Sequence, residues 1–314
     1  MARPSSRRPP SPPPPDRAPG RRPVRAPADE KLHKVLARAG FGSRREMETW
    51  IAGGRVTVNG ARAHVGQRVS AGDRVRVDDR PVGAGAQDAP PRVLLYHKPS
   101  GEIVSASDPQ GRPTVFDRLP RVKGGRWIAV GRLDLTSSGL LVLTTSGELA
   151  AQLMHPRSGL EREYAVRVDG TLAPEALRAL TQGVVLEDGP ARFETIADEG
   201  GEGRNRWYRV ILREGRNREV RRMLEAVNHR VSRLIRVRFG PLMLPSGLKR
   251  GWFRELRSGE VAALVARVSG GGPGEPLRPA PRPARKGDPK GLPARPRWGT
   301  PRPPGPRRRV RESG

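Results

Sequence analysis

The chain has 314 residues, of which 60 are Lys or Arg and 32 are Asp or Glu, so its net charge is +28. So large a positive charge indicates a polyanionic partner, most often nucleic acid. The chain has no cysteine, which excludes disulfides, zinc–thiolate sites and cysteine nucleophiles. No apolar run approaches the ~20 residues of a membrane span, and no apolar secretion signal is present. We therefore predict no membrane association and a cytoplasmic location.

The two ends of the chain differ in composition from the middle. Residues 1–28 contain ten prolines and seven arginines, and residues 269–314 have the same Pro- and Arg-rich character. Such segments bury too little apolar surface to offset the entropy lost on ordering. We predict that both are disordered arms whose arginines add salt-sensitive attraction to phosphate.

Residues 29–80 have the pattern of a small, separate unit. Apolar residues at helical spacing predict a helix that Gly40 ends, and Ser43 with Glu46 forms a capping box that opens a second helix. A strand then leads into the Asn59-Gly60 hairpin turn. Two helices followed by a small sheet are the expected fold.

Basic residues cluster at the helix ends of this unit, and the pattern from Leu32 to Gly60 resembles the RNA-binding module of a small-subunit ribosomal protein. We predict an RNA-binding module; the alternative is a capped helix pair with solvated charges. Its predicted RNA-binding residues are Lys34, Arg38, Arg44, Arg45 and Arg55.

Residues 81–91 contain several Gly and Pro and are predicted to be a linker. Residues 92–268 mix strand and helix patterns, with strands dominating. We therefore predict an α+β protein: a small N-terminal α/β module, then a catalytic domain built on an antiparallel or mixed sheet with flanking helices. The predicted strands are 92–97, 127–133, 140–145, 162–168, 207–213 and 231–238, and the predicted helices are 147–154, 174–182, 217–227 and 258–267.

A single acid, Asp134, lies in a turn of small polar residues between two apolar runs. As strand, turn and strand, this segment holds a carboxylate at the rim of a buried sheet, beside Arg132. The alternative is a hairpin whose Asp only bonds its own turn backbone. Gly131 and Gly139 are predicted to let a substrate backbone approach closely.

Four blocks in this domain, in this order behind the N-terminal module, resemble the pseudouridine synthases that modify bacterial ribosomal RNA. The blocks are Lys98 to Val115, Gly131 to Pro156, Glu161 to Val166, and Glu214 to Met223 with its extension to Arg238. The resemblance implies that uridine is converted to pseudouridine without a cofactor or metal. The branch it points to acts on large-subunit rRNA, with the small-subunit rRNA enzymes as the alternative.

The resemblance also implies roles for individual residues. Asp134 is the catalytic carboxylate, by addition to the ribose or by promoting glycal formation. Tyr164, which the strand pattern alone interprets as a core aromatic, stacks on the target base. Arg221 pairs with Asp134, and Arg132 helps extrude the target nucleotide. Lys98 and Arg218 are assigned to RNA binding.

Two further interpretations of the chain belong to other functional classes. One is a catalytically silent RNA-binding assembly factor, and the other is a basic structural protein driven by its arms. The presence of Asp134, Tyr164 and Arg221 favours the enzyme. We expect it to act as a monomer whose partner is ribosomal RNA.

Overall fold

A computed structural model of the protein describes residues 29–82, 90–123, 125–201 and 203–269. The predicted arm over 1–28 and the predicted tail beyond Ser269 lie outside the described residues, as does most of the predicted linker. Among the described residues, no helix is long and apolar enough to cross a membrane.

The N-terminal part has two short helices, preceded by a two-residue strand and followed by small strands. Its elements are β1 Glu30–Lys31, α1 Leu32–Arg38, α2 Arg44–Ala52, β2 Val56–Val58, β3 Ala61–Arg62, β4 Arg68–Val69, β5 Val75–Val77 and β6 Arg80–Pro81. The predicted capping box is confirmed: the Glu46 amide donates to Ser43 Oγ (3.1 Å), and the Ser43 amide donates to Glu46 Oε2 (3.2 Å). Asn59 and Gly60 both have positive φ, as a type I′ hairpin turn requires.

The remainder of the described chain carries eleven strands and four α-helices, besides two short 3₁₀ turns. The strands are β7 Val93–Lys98, β8 Ile128–Val130, β9 Ser138–Thr144, β10 Arg162–Asp169, β11 Val184–Leu186, β12 Gly189–Ala191, β13 Thr195–Gly200, β14 Asn205–Leu212, β15 Val231–Phe239, β16 Leu242–Met243 and β17 Phe253–Glu255. The helices are α3 Gly147–Met154, α4 Pro174–Gln182, α5 Glu219–Ala226 and α6 Ser258–Ser269.

Nine of these strands form one sheet in the order β13-β14-β10-β15-β9-β7-β17, with β16 beside β15 and β8 beside β9. Among the described strands, the β9–β15 pair is parallel and the others are antiparallel. The α+β class and the mixed sheet predicted from sequence are confirmed.

Strand β9 is buried along its whole length because both faces of the sheet are covered at this point. Leu140 and Val142 face a cluster that includes residues of α3 and α6. Leu141 and Leu143 face the opposite cluster, to which α4 and α5 contribute. The segment before β9, which carries Asp134, is therefore attached to a strand that is buried along its whole length.

Candidate active site

An open pocket of about 640 Å³ lies where the segment between β8 and β9, strand β10, the segment before α5 and strand β15 meet. Asp134 and Tyr164 line it, together with an apolar wall and several arginines. The arginines of the lining are Arg132, Arg162, Arg216, Arg218 and Arg236. The structure thus brings together an acid, an aromatic ring and a group of cations that are far apart in the sequence.

Asp134 is half-buried in the turn between β8 and β9, as the sequence pattern predicts. Its main-chain carbonyl accepts the amide of Ser137 (3.1 Å), and Ser137 Oγ lies 3.4 Å from Asp134 Oδ2. Among the described residues, no group donates a hydrogen bond to Oδ1. The turn is therefore fixed by its backbone, while the carboxylate keeps free acceptor capacity toward the pocket.

Lys98 lies beneath this turn and not on an RNA-facing surface, so its assignment to RNA binding is wrong. The side chain is fully buried, and Nζ donates to the main-chain oxygens of Pro99 (3.0 Å), Asp134 (3.0 Å) and Ser137 (2.9 Å). Burial lowers the pKa of the Lys98 ammonium to about 8, against the opposing charges of Glu102 and Asp134. Lys98 positions the turn that carries Asp134.

We expect Lys98→Met to lower the free energy of unfolding by about 3 kcal/mol, because the carbonyls of Pro99 and Ser137 lose their donor and that of Asp134 keeps only the Ser137 amide. The turnover rate should fall with it, since the Asp134 turn loses its anchor. Urea unfolding of the variant checks the first effect, with Lys249→Met as the control because Lys249 is exposed. Equal losses in the two variants would contradict this role of Lys98.

Gly139 faces protein backbone, so the prediction that it admits a substrate backbone is wrong. Its φ is +106°, and a Cβ at this position would lie 2.2 Å from the main-chain oxygen of Arg236. Gly139 and Arg236 are partners in the parallel β9–β15 pair. The glycine is needed because the two strands meet closely there. Gly131, in contrast, lines the pocket and has open space around its Cα.

Tyr164 projects from β10 on the same face as Val166, and its side chain is 8% exposed. The ring packs in the core cluster and also lines the pocket, so its packing in the core is compatible with contact to a ligand. On β15 its register partner is Arg236, and the ladder has an irregularity between Glu163 and Tyr164. This irregularity allows both Arg236 and Phe239, three residues apart, to line the pocket.

Arg221 is 7% exposed on α5 and makes no direct ion pair with Asp134, which corrects the predicted pairing. Its guanidinium instead donates to the carbonyl of Val231 (3.1 Å) and, at 3.5 Å, approaches that of Thr136 in the Asp134 turn. Burial and the charge of Arg218 lower the pKa of Arg221, and the charge of Asp134 opposes this. Arg221 therefore approaches the backbone of the Asp134 turn and does not contact the carboxylate itself.

The segment before α5 forms the mouth of the pocket. Arg218 precedes the helix in the left-handed conformation, with φ of +48°. Arg216 is held by Glu219 (3.3 Å), Glu214 (3.0 Å) and Asp188 (3.1 Å). Arg218 is exposed and, among the described residues, makes no ion pair, so it is available to an anionic ligand.

Glu219 is a buried acid, 3% exposed, whose Oε2 accepts the Arg216 amide at 3.0 Å. Burial raises the pKa of its carboxyl to about 7; Glu214 adds to this shift and Arg216 opposes it. Between the ordinary pKa and about pH 7 the folded chain then binds more protons than the unfolded chain. The free energy of unfolding therefore falls as the pH rises through this interval.

We expect Glu219→Gln to remove this fall, which should amount to about 2 kcal/mol between pH 5 and pH 8. Denaturant unfolding at both pH values measures it. Glu225→Gln serves as the control because Glu225 is exposed on the same helix. If the wild-type protein and Glu219→Gln lose the same stability over this range, the buried acid does not titrate as described.

The cations predicted to bind RNA in the N-terminal part fall into two groups. Lys34 and Arg38 both pair with Glu30, and Arg55 pairs with Asp78. Arg44 and Arg45 in the first turn of α2 are exposed, and among the described residues neither makes an ion pair. The side chain of Arg44 also approaches Gly147 at the start of α3.

The sequence argument missed the two pocket arginines on β10 and β15, Arg162 and Arg236, and the buried acid Glu219. All three lie inside the motif blocks, but alternation marks them only as strand or helix positions. Arg162 and Arg236 lie in the pocket because β10 pairs with β15 and because this ladder is irregular between Glu163 and Tyr164. Among the described residues, no group of three or more His, Asp or Glu could hold a metal ion.

Comparisons with known proteins agree with this geometry. The RNA pseudouridylate synthase family profile matches residues 92–226, and the S4 domain profile matches residues 30–75. A solved pseudouridylate synthase superposes with a TM-score of 0.52 at 24% identity, covering 74% of this chain and 99% of that one. This structure shares the fold.

Among curated relatives, a protein of Escherichia coli strain K12 named ribosomal large subunit pseudouridine synthase B is 58% identical over 230 residues, which are 72% of this chain and 79% of the relative. A protein of the same name from Pseudomonas aeruginosa is 54% identical over 244 residues. That match covers 77% of this chain and 63% of the relative, less than two thirds of its length. The chain belongs to the RNA pseudouridylate synthase family.

Proposed function

We propose that the protein converts a specific uridine of large-subunit ribosomal RNA to pseudouridine. In this isomerisation the bond between N1 of uracil and C1′ of ribose breaks, and a bond between C5 and C1′ forms. C5 loses a proton and N1 gains one, so the composition of the nucleotide is unchanged. No external cofactor or metal is required by this balance.

The observation that carries the proposal is an acid with a free carboxylate oxygen and an aromatic ring lining one pocket, in a chain of this family. Asp134 is the catalytic carboxylate, acting at the sugar or the base. Tyr164 stacks on the target uracil, a contact worth roughly 1–3 kcal/mol on any base. Arg221 holds its guanidinium against the backbone of the Asp134 turn and so helps position the carboxylate.

RNA binding is assigned to exposed cations around the pocket and on the N-terminal module. Arg132 and Arg218 flank the pocket and have exposed side chains. Extruding a nucleotide costs a few kcal/mol in a helical stem, and Arg132 offsets part of this cost by filling the space that the base leaves. The module over 29–80 contributes Arg44 and Arg45, while Lys34, Arg38 and Arg55 must exchange an intramolecular partner for phosphate.

The large subunit is favoured over the small one because the relatives at 54–58% identity are named for it. We propose a monomer acting in the cytoplasm, where the substrate rRNA is assembled into subunits. The single-chain origin of Asp134 and Tyr164 supports the monomer, since both line a pocket formed within one copy.

Tritium release tests the reaction directly because the hydrogen on C5 leaves during isomerisation. Transcripts of large-subunit and small-subunit rRNA carrying tritium at C5 of uridine are incubated separately with the purified chain. We expect release of about one equivalent from the large-subunit transcript. Release from the small-subunit transcript alone would overturn the choice of subunit, and release from neither transcript would overturn the activity.

A further inference from the structure

Two of the arginines that line the pocket, Arg162 and Arg236, lack an acidic partner. Neither makes an ion pair with any residue in the described part of the chain, whereas Arg216 in the same lining contacts three carboxylates. Both guanidiniums lie near the ring of Phe239, with distances to the ring centroid of 5.2 Å and 5.1 Å. Two guanidinium charges therefore lie close together on one wall of the pocket, and neither has a direct carboxylate contact there.

Arg162 keeps hydrogen-bonding capacity for a ligand. Its Nη1 donates to the carbonyls of Leu160 (2.8 Å) and Arg213 (2.6 Å), which fixes the side chain. Among the described residues, Nε and Nη2 have no acceptor. A guanidinium held by one nitrogen and open at the other two presents a ready donor pair for an oxyanion.

Arg236 adds a second, buried positive charge close to Arg162. It is 3% exposed, and its Nε donates to the carbonyl of Leu140 at 2.8 Å. Its Nη2 is buried without a hydrogen-bond partner. Leaving a buried guanidinium nitrogen unpaired is costly, and a charged group next to another of the same sign adds to that cost. An anion bound at Arg162 would offset the repulsion between the two like charges.

The position along the strand relates this cation pair to the target base. Arg162 and Tyr164 are two residues apart on β10, about 6.6 Å along the strand, and both line the pocket. A nucleotide whose base stacks on Tyr164 has its own phosphodiester as the nearest anion. Asp134 in the same pocket repels that phosphate, and the cation pair compensates for the repulsion.

We propose that Arg162, supported by Arg236, forms a subsite for the phosphodiester directly adjoining the target uridine. This proposal rests on the proposed function, since it requires an RNA nucleotide in the pocket. The ligand is a phosphodiester group of the nucleic acid and not a uracil carbonyl. Two guanidinium charges on one wall match an anion, whereas the uracil base is neutral.

Replacing single phosphates tests the subsite. Stem-loop RNAs carry a neutral methylphosphonate at the 5′ phosphate of the target uridine, at its 3′ phosphate, or three nucleotides away, and their affinity for the full chain is measured by fluorescence anisotropy. We expect the wild-type protein to lose about tenfold in affinity for one of the two adjoining replacements. It should be nearly insensitive to the distant one.

The variant Arg162→Gln should bind the unmodified RNA about tenfold more weakly than wild type does. Its affinity should not fall further for the RNA whose methylphosphonate weakens binding by the wild-type protein. Arg162→Lys keeps the charge and should retain part of the discrimination, which covers the case in which the glutamine variant does not fold. The matched control is Arg167→Gln, since Arg167 is on the same strand, outside the pocket, with its Nε on Ser232 Oγ. It should discriminate like the wild-type protein.

Wild-type affinity that is unchanged by both adjoining replacements would overturn the subsite. The subsite would also be overturned if the methylphosphonate lowered the affinity of Arg162→Gln by the same factor as that of wild type. Arg162 would then stabilise the protein without contacting this phosphate. Binding is measured without turnover. A chain that discriminates between the RNAs but forms no pseudouridine would instead overturn the proposed function.

Discussion

Asp134→Asn is expected to reduce pseudouridine formation by more than about 10³-fold while leaving RNA affinity within about twofold of wild type. Asparagine has nearly the same volume and still offers an oxygen to Ser137, so the turn held by Lys98 should persist. What is lost is the negative charge and the nucleophilic oxygen. Binding is distributed over many cations and depends little on one acid.

Single-turnover conversion with enzyme in excess, together with anisotropy on the same RNA, measures both quantities. Asp169→Asn is the matched control, because Asp169 forms an ion pair with Arg204 outside the pocket. If Asp134→Asn converts uridine at the same rate as this control, Asp134 takes no part in the chemical step. A parallel loss of affinity and rate would show that its role is in binding.

Gly139→Ala is expected to lower the free energy of unfolding by about 2–5 kcal/mol and to abolish most activity. The added Cβ would meet the Arg236 backbone at 2.2 Å, in a conformation with φ of +106° that alanine rarely adopts. Relief requires β9 and β15 to separate. Since β9 follows the Asp134 turn and β15 carries Arg236, separation also pulls the pocket apart.

Gly101→Ala distinguishes crowding from backbone strain. Gly101 has φ of +93°, but nothing lies within 4 Å of the position of its Cβ. It should therefore lose only about 1 kcal/mol from strain. Chemical unfolding of the two variants gives the comparison, and equal losses would mean that close packing of β9 on β15 is not what requires a glycine at 139.

Local chemistry made most elements of the fold predictable. The capping box at Ser43 and the Asn59-Gly60 turn follow from residue type and near neighbours. Periodicity located α3 to α6 and the strands β7, β8, β9, β10, β14 and β15 within a few residues, but β13 was not predicted. Asp134 was identified because its segment and the Glu214–Met223 segment together resemble the pseudouridine synthases; the turn pattern alone left the hairpin alternative open.

The wrong predictions concern residues at which segments far apart in the sequence pack together. Lys98 looks like a surface cation in its block, yet three carbonyls from two segments enclose its ammonium. Gly139 resembles a turn glycine, but the strand that crowds it comes about 100 residues later. Arg221 matches a position that contacts the catalytic acid, while here it bonds the carbonyls of Val231 and Thr136. Pairing across the sheet decides each of these cases.

The central claim is that this chain modifies one uridine of large-subunit rRNA through Asp134. The most direct measurement maps carbodiimide-dependent reverse-transcription stops on rRNA from a strain lacking the gene, complemented with either wild type or Asp134→Asn. We predict that one stop in large-subunit rRNA disappears on deletion, returns with the wild-type gene and stays absent with the variant. An unchanged stop pattern on deletion, or a stop restored by Asp134→Asn, would contradict the account.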